Sequence, residues 1–356
     1  MKYYRLGLLL IFLTGAVSEE ALGQFFAEDT TTFYDPAYIK YYRDELTTRI
    51  FISRKQTGLD LSPNLINPWL KYKTNDMLQM GLGYTYSFLT VNLGLKMPFV
   101  NRDDDTYGES RLIDLQTHTI FRTYIVDLYI QWSNGYYMAN PESVFQPVGY
   151  EQGFPLRGDM RTSIVGLNVQ YLFNSSRYSY KAAFQQNQFQ RKSAGSPLAG
   201  VEGYWVLGMT DSAMVAGEIL PSGFMDDEPF NRVDLINVGI NGGYAYTFVW
   251  QEKLFLSLSA IVGVAGGYNQ VHYSNNSVTL RDGLTLGLTN SFRVALGYNT
   301  RDYYVGLSFV RLSMNNLAWG YGDWFTYSTG HIRLNFVKRF RLKRPIKILR
   351  PDLWIL

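Results

Sequence analysis

The sequence predicts an all-β transmembrane antiparallel barrel, on the basis of its alternation, its composition and the lengths of its turns. Most candidate strands alternate between apolar and polar residues over about 10 positions, which is the length that a tilted strand needs to cross a bilayer. The chain is 46% hydrophobic and 16% aromatic but only 18% charged. Soluble proteins carry about 25% charged residues, so the composition favours a membrane barrel over a soluble β-sandwich.

Bulk properties exclude several other classes of protein. The chain has no cysteine, which excludes a disulfide framework, a thiolate metal site and a lipid anchor on cysteine. Its formal net charge of +3 is too small to indicate a nucleic-acid partner. No stretch after the N-terminus has the roughly 18 consecutive apolar residues of a membrane helix. We expect no cofactor.

The N-terminus has the features of a secretory signal peptide over residues 1–23. Lys2 and Arg5 precede an apolar run, and Ala21 and Gly23 form a small-x-small cleavage site. Export of a barrel predicts the outer membrane of a double-membraned bacterium. The predicted organisation is a signal peptide at 1–23, a periplasmic lead-in or lumen plug at 24–45, the barrel at 46–340 and a basic periplasmic tail at 341–356.

Residues 161–190 read most simply as a hairpin of two long strands around a turn at 174–177. The apolar face of the return strand, 178–190, gives way to Gln186 and Gln188 beyond Phe184. Either a bulge changes the register there, or the strand leaves the membrane early. We favour the second, and we expect the stretch that follows to fold over or into the outer mouth; its candidate residues are Arg191, Lys192, Ser193, Gly195 and Ser196.

The spacing of turns predicts twelve strands with both termini in the periplasm. Outer-membrane barrels have short periplasmic turns and long outer loops, and these alternate without a break if 65–73 and 203–211 are not membrane strands. Counting both segments gives fourteen strands, the main alternative. Aromatic residues flank the short turns and predict one interfacial girdle. Whether 191–234 caps or plugs the barrel stays open. The short turns lie at 87–89, around 123, and at 174–177, 250–253 and 298–301.

Several stretches are similar to those of one protein family. The segments 178–184 and 190–196, together with 116–131 and 49–55, resemble a Bacteroidota family of outer-membrane barrels known only as a domain of unknown function, DUF4421. The resemblance implies an outer-membrane location and a barrel fold. It implies no activity, so no catalytic residue transfers.

Charged residues on the polar strand faces are candidates for the lumen. Charges in a narrow lumen must be solvated or paired. They would either select anionic or zwitterionic solutes, as charged rings do in pores, or form a network that fills the interior. Two of them flank the turn near residue 123 and could pair directly. The lumen candidates are Arg122, Asp127, Lys181, Arg293 and His118, of which Arg122 and Asp127 flank that turn.

The sequence offers little for catalysis. There are three histidines and no Gly-x-Ser-x-Gly elbow, and Ser193 and Ser196 have no histidine nearby. The histidines fall on different elements, so no metal-ligand spacing is visible. We therefore predict that the protein is not an enzyme, with a lipid hydrolase or acyltransferase as the third alternative.

A pore or solute-uptake channel is the first functional hypothesis, because the predicted lumen face is polar. A non-enzymatic structural or assembly component of the outer membrane is the alternative. The expected partners are outer-membrane lipids and lipopolysaccharide, a small solute, and a periplasmic partner at the basic tail. Basic residues near an anionic surface gain about 1 kcal/mol each; in the stretch after Lys338 they are Arg339, Arg341, Lys343, Arg344, Lys347 and Arg350.

Overall fold

A computed structural model describes residues 34–42, 45–62, 70–75, 77–86, 89–97, 103–115, 117–121, 123–143, 153–215, 229–273, 280–318 and 323–343. The first eight strands are β1 (Ile39–Tyr41), β2 (Glu45–Ser62), β3 (Leu70–Lys73), β4 (Met77–Tyr86), β5 (Leu89–Lys96), β6 (Arg111–Asp114), β7 (Thr117–Ile120) and β8 (Tyr124–Met138). The later strands are β9 (Leu156–Leu172), β10 (Gln188–Gln190), β11 (Ala194–Met209), β12 (Phe230–Trp250), β13 (Leu254–Tyr273), β14 (Leu280–Asn299), β15 (Tyr303–Ala318) and β16 (Trp324–Arg341). Two short helices, α1 (Asp104–Tyr107) and α2 (Tyr180–Phe184), and a 3-10 turn, Pro141–Ser143, complete these elements.

Some of the sequence predictions concern residues that the structure does not describe. The predicted signal peptide, Arg122 and tail residues 344–356 lie outside the described residues. None of the helices within the described ranges is long and apolar enough to cross a membrane.

The strands form a closed antiparallel barrel. The ring runs β2, β16, β15, β14, β13, β12, β11, β9, β8 and β3, and β3 returns to β2. Four more strands belong to the same sheet but lie outside this ring: β4 and β5 continue from β2, whereas β6 and β7 pair with β8. The predicted all-β antiparallel barrel is confirmed. Neither twelve nor fourteen wall strands is confirmed, because the closed ring has ten.

The two ends of the barrel differ, and the ends of the strands define them. The short-turn end carries the connections 251–253 and 300–302. The first strand of the ring, β2, begins at this end, opposite Arg341, the last residue of β16. The long-loop end is the opposite one, where β2 ends at Ser62 and β8 ends at Met138. On the side of β4, no ladder joins β5 to β6 or β7 among the described residues.

The outer surface is apolar because alternate residues of each strand face outwards. On β13, Leu258, Val262 and Val264 are exposed, whereas Ser257 and Ser259 between and beside them are buried. Exposed rings gather near the short-turn end, as the predicted girdle requires; they include Tyr171, Phe173, Phe248, Trp250, Tyr298 and Tyr303. An apolar band with an aromatic edge is typical of a barrel wall in lipid.

The prediction of a return strand at 178–190 is wrong. Residues 178–190 form α2 and β10 instead of a wall strand, and β11, which includes most of the excluded segment 203–211, pairs with β9 in their place. The other excluded segment, 65–73, contributes β3 to the ring. We call residues 173–193 the plug; within the barrel its strand β10 pairs with β1 of the N-terminal segment.

Local chemistry explains why residues 178–190 do not form a wall strand. Ser179 caps α2, because its hydroxyl accepts a hydrogen bond from the Ala182 amide at 3.0 Å. Alanine is depleted in strands and favoured in helices, and Ala182 and Ala183 lie in the only turn of this helix. Gln186 follows with a positive φ of 59°, which reverses the chain towards β10. Alternation over so short a stretch does not distinguish a wall strand from a short helix followed by a chain reversal.

Apolar side chains pack across the interior at the long-loop end. This cluster draws on nearly every strand of the ring, and Leu59, Tyr136, Val233, Met314 and Tyr327 are among its buried members. Smaller clusters surround the plug, with Tyr178 and Tyr180 in one and Ala183 in another. The interior is therefore apolar towards the long-loop end and mixed around the plug.

The exchange of 178–190 for β11 can be tested through Val201, which is 58% exposed on the outer face of β11. We expect Val201→Arg to lower the free energy of unfolding by about 2–4 kcal/mol, the cost of arginine on a lipid face near mid-membrane. Urea titration of the protein in lipid vesicles measures this. Gln251→Arg in the exposed turn is the control and should change it by about 0.5 kcal/mol or less. Equal effects would contradict β11 as a wall strand.

Candidate functional site

An ion pair crosses the lumen between opposite walls. Asp127 on β8 is completely buried, and its carboxylate contacts the guanidinium of Arg293 on β14. In the ring of ten, β8 and β14 are five strands apart in either direction, so they face each other across the barrel. An arginine and an aspartate that touch from such strands bridge the full width of the lumen at this depth.

Neighbouring polar groups surround this bridge. His118 Nδ1 lies 2.7 Å from one oxygen of Asp127, and Asn168 Nδ2 lies 3.4 Å from the other. The guanidinium of Arg293 lies 5.7 Å from the ring centre of Tyr180 in the plug, in cation–π geometry. Buried charges are stable only when they are paired and hydrogen-bonded, and here three strands and the plug supply the partners.

A second polar layer lies on the β11 side of the lumen. Glu202 accepts a hydrogen bond from Asn241 Nδ2 at 2.8 Å and contacts the hydroxyl of Thr289. Asn241 also donates to Asn168 Oδ1 at 2.9 Å, which joins this layer to the partners of Asp127. Gln170 donates to Asn241 at 3.0 Å. The network therefore connects inward side chains of β8, β9, β11, β12 and β14.

Two wall arginines hold the plug by its main chain. Arg339 on β16 donates to the carbonyl oxygen of Gln186 through Nε and Nη2, at 2.8 and 2.6 Å. Arg49 on β2 donates through Nη2 to the carbonyl oxygen of Gln185 at 2.7 Å. The plug also donates, because Gln185 Nε2 reaches the carbonyl oxygen of His118 at 2.8 Å. Contacts to β2, β7 and β16 at once show that the plug lies inside the barrel.

The N-terminal segment packs against the same anchor. The guanidinium of Arg339 lies 4.6 Å from the ring centre of Tyr42. Burial raises the pKa of the Tyr42 phenol above its ordinary value, and the nearby Arg339 opposes that shift. Tyr42 therefore stays neutral at physiological pH.

The structure brings together three of the five lumen candidates. His118, Asp127 and Arg293 meet at the bridge. Lys181 is also buried in the interior, but it belongs to the plug, where its ammonium lies 5.8 Å from the ring centre of Tyr41. The suggested pairing of Asp127 with Arg122 has no test, since Arg122 lies outside the described residues.

The stretch expected at the outer mouth lies at the opposite end. Ser193 Oγ accepts a hydrogen bond from the Val249 amide at 2.9 Å, and Arg191 lies 3.8 Å from Glu252 in the 251–253 turn. Arg191, Lys192, Ser193, Gly195 and Ser196 thus belong to the short-turn end, because the plug returns the chain to the end at which it entered.

Ser193 and His118 do not form a catalytic pair. The hydroxyl of Ser193 is bonded at the short-turn end, whereas the imidazole of His118 is bonded to Asp127 in the lumen. Among the described residues, no group of three histidine, aspartate or glutamate side chains could hold a metal ion.

Sequence reasoning missed Glu202 and misplaced Arg339. Glu202 lay in a stretch that we did not predict to be a wall strand, although its neighbour Val201 is apolar and Tyr204 follows in register with it. Arg339 was counted with the basic residues after Lys338 that were expected to face an anionic surface or a periplasmic partner, but it is buried in the last strand. The alternation along the last strand could have identified Arg339 as an inward residue, since Lys338 and Phe340 on either side of it face outwards.

A family model described as a domain of unknown function, DUF4421, matches residues 29–340. The chain belongs to the DUF4421 family. No curated protein matches it. Three solved structures resemble the DUF4421 barrel. The Escherichia coli outer membrane protease OmpT has a TM-score of 0.36 at 10% identity, over 85% of this chain and 98% of that one. A TodX monoaromatic hydrocarbon channel mutant has a TM-score of 0.30 at 7% identity, over 83% of this chain and 91% of that one. The Pseudomonas putida toluene transporter TodX has a TM-score of 0.26 at 9% identity, over 91% of this chain and 94% of that one.

We expect Arg339→Ala to loosen the plug of the DUF4421 barrel. Each hydrogen bond from a charged donor contributes about 1.5–3 kcal/mol, so amide hydrogen exchange in residues 178–190 should speed up at least about tenfold. Mass spectrometry of peptides from that region measures the rate. Lys338→Ala is the matched control, because Lys338 faces outwards and stacks on Tyr303 and Phe340. Unchanged exchange in Arg339→Ala would show that this arginine does not hold the plug.

The bridge across the lumen makes a separate prediction. Asp127→Asn leaves the Arg293 charge buried without a carboxylate, and we expect it to lower the free energy of unfolding by about 3–5 kcal/mol. Arg293→Gln should cost a similar amount. The double variant should lose less than the sum of the two, because each single change already breaks the same contact. Urea unfolding in lipid vesicles measures all three, and additive losses would argue against a direct pair.

Proposed function

We propose that this protein is an outer-membrane barrel that does not conduct in its resting state and serves the membrane as a structural or assembly component. The observation that carries this proposal is the pair of Asp127 and Arg293, which spans the lumen between opposite walls. An open pore needs a continuous path for water, and a direct contact between facing walls interrupts that path.

Two further layers support a closed interior. The plug occupies the short-turn end, where Arg49 and Arg339 bind its main chain. The apolar cluster fills the long-loop end, and Leu61, Met160 and Phe325 in it are fully buried. Close-packed apolar side chains leave few voids larger than a water molecule, so solute would have to break a packed core as well as move the plug.

The surface of the barrel supports the proposed location in the outer membrane. Its exposed apolar side chains include Val238 and Ile240 on β12 and Leu307 on β15, with aromatic rings beyond them towards the short-turn end. Such a band suits lipid and is too extensive for a soluble monomer. The predicted export signal at 1–23 supports the same location.

A gated solute channel is the second candidate, and the chemistry of the plug favours it. Several contacts between plug and wall are hydrogen bonds from side chains to carbonyl oxygens, such as those donated by Arg49, Arg339 and Gln185, which water can replace. In the wall, β5 has no ladder to β6 or β7 within the described residues. We propose no catalytic role, because the hydroxyl of Ser193 is bonded to the Val249 amide at the short-turn end, whereas His118 is bonded to Asp127 in the lumen.

Planar-bilayer recording distinguishes these two candidates. The purified wild-type protein should give no conductance above background. Arg49→Ala/Arg339→Ala should also remain silent, because the bridge and the apolar cluster persist when the plug loosens. Lys338→Ala serves as the control for the loss of a nearby charge. Steady conductance from the wild type would overturn the proposal, and conductance from the double variant alone would establish the gated channel.

A further inference from the structure

A cavity of about 620 Å³ opens at the short-turn end, between the N-terminal segment, the plug and two turns of the wall. Its volume falls within the range of small-molecule sites, roughly 300–1,000 Å³. The N-terminal segment contributes Ile39 and Lys40, the plug contributes Phe189 and Arg191, and the turns contribute residues 251–253 and 300–301. The cavity therefore exists only when the plug is in place.

The rim of the cavity is strongly cationic. Four basic side chains line it against one acidic side chain, Glu252; the four are Lys40, Arg191, Lys253 and Arg301. The contact between Arg191 and Glu252 is long, at 3.8 Å, and both side chains are largely exposed, at 42% and 63%. Arg191 also donates to the carbonyl oxygen of Pro36 at 3.1 Å, which fixes its direction. Like charges held around one opening attract an anion.

The floor of the same cavity is apolar. Tyr34, Ile39 and Phe189 line it and are almost completely buried. Tyr34 and Tyr41 lie with ring centres 5.9 Å apart, which adds an aromatic wall. A site with an apolar floor and a charged rim suits a ligand that carries both kinds of group.

We propose that this cavity binds a small organic anion with an aromatic or aliphatic body and a carboxylate or phosphate group. The body packs on Tyr34, Ile39 and Phe189. The anionic group lies between Arg191 and Arg301, whose guanidinium groups have the planar geometry that binds carboxylate and phosphate through two hydrogen bonds. A ligand here contacts both β1 and β10, so it stabilises the seated plug by mass action.

Isothermal titration calorimetry of the full chain in detergent tests the site directly, whether or not the barrel conducts. The probes are N-acetyl-phenylalanine for a carboxylate, phenyl phosphate for a phosphate, and the neutral N-acetyl-phenylalaninamide as the matched control. At least one anionic probe should bind, and the neutral amide should bind more weakly by about tenfold or more. Whichever anion binds more tightly identifies the preferred group.

Variants locate the binding. Arg191→Gln/Arg301→Gln should weaken the binding of the anion by at least about tenfold. The control, Arg111→Gln/Arg161→Gln, removes two exposed arginines that are paired with Glu109 and Asp211 away from the cavity, and it should leave affinity unchanged. The proposal is overturned if neither anion binds at millimolar concentration, if the amide binds as tightly as the acid, or if both double variants weaken binding equally.

Discussion

Asp127 and Arg293 meet across the lumen of the barrel, and much of the interior is arranged around this contact. Removing two charges from water is costly, so the pair is stable only with close geometry and with partners for most of its remaining polar atoms. His118, Asn168 and the ring of Tyr180 supply those partners from two neighbouring strands and from the plug. The width of a ten-strand ring makes the contact geometrically available, because the diameter of a barrel grows with its number of strands and a ring of this size is still narrow.

The plug depends on the same ring for its place. Its helix packs on Arg293 through Tyr180. Its main chain is bound by Arg49 on the first strand of the ring and Arg339 on the last. These contacts link the first and last strands of the barrel to a segment from the middle of the chain. The closed wall and the plug therefore depend on shared contacts, and the cavity at the short-turn end forms where the two meet.

The barrel itself was predictable from local patterns, but the exchange of plug and wall was not. Residues 178–184 alternate like a strand, yet Tyr180–Phe184 form a capped helix. Residues 194–209 contain Pro197 and several glycines and resemble a loop, yet they form β11. Gly166 on β9 shows why small residues belong in this wall: a Cβ there would lie 2.3 Å from the ring of Tyr204. Period-two alternation also put Asp127 and Arg293 on inward faces, but their meeting depends on the number of strands between them, which no local pattern contains.

The position of the plug inside the lumen is the central claim, and methyl NMR tests it most directly. Ala183 belongs to a buried cluster with Ala295 and Val337, which lie on β14 and β16. In protein labelled at alanine and valine methyl groups, Ala183 should show nuclear Overhauser contacts to at least one of those two residues and none to detergent chains. Contacts from Ala183 to detergent alone would place residues 178–190 in the membrane wall and contradict the closed lumen.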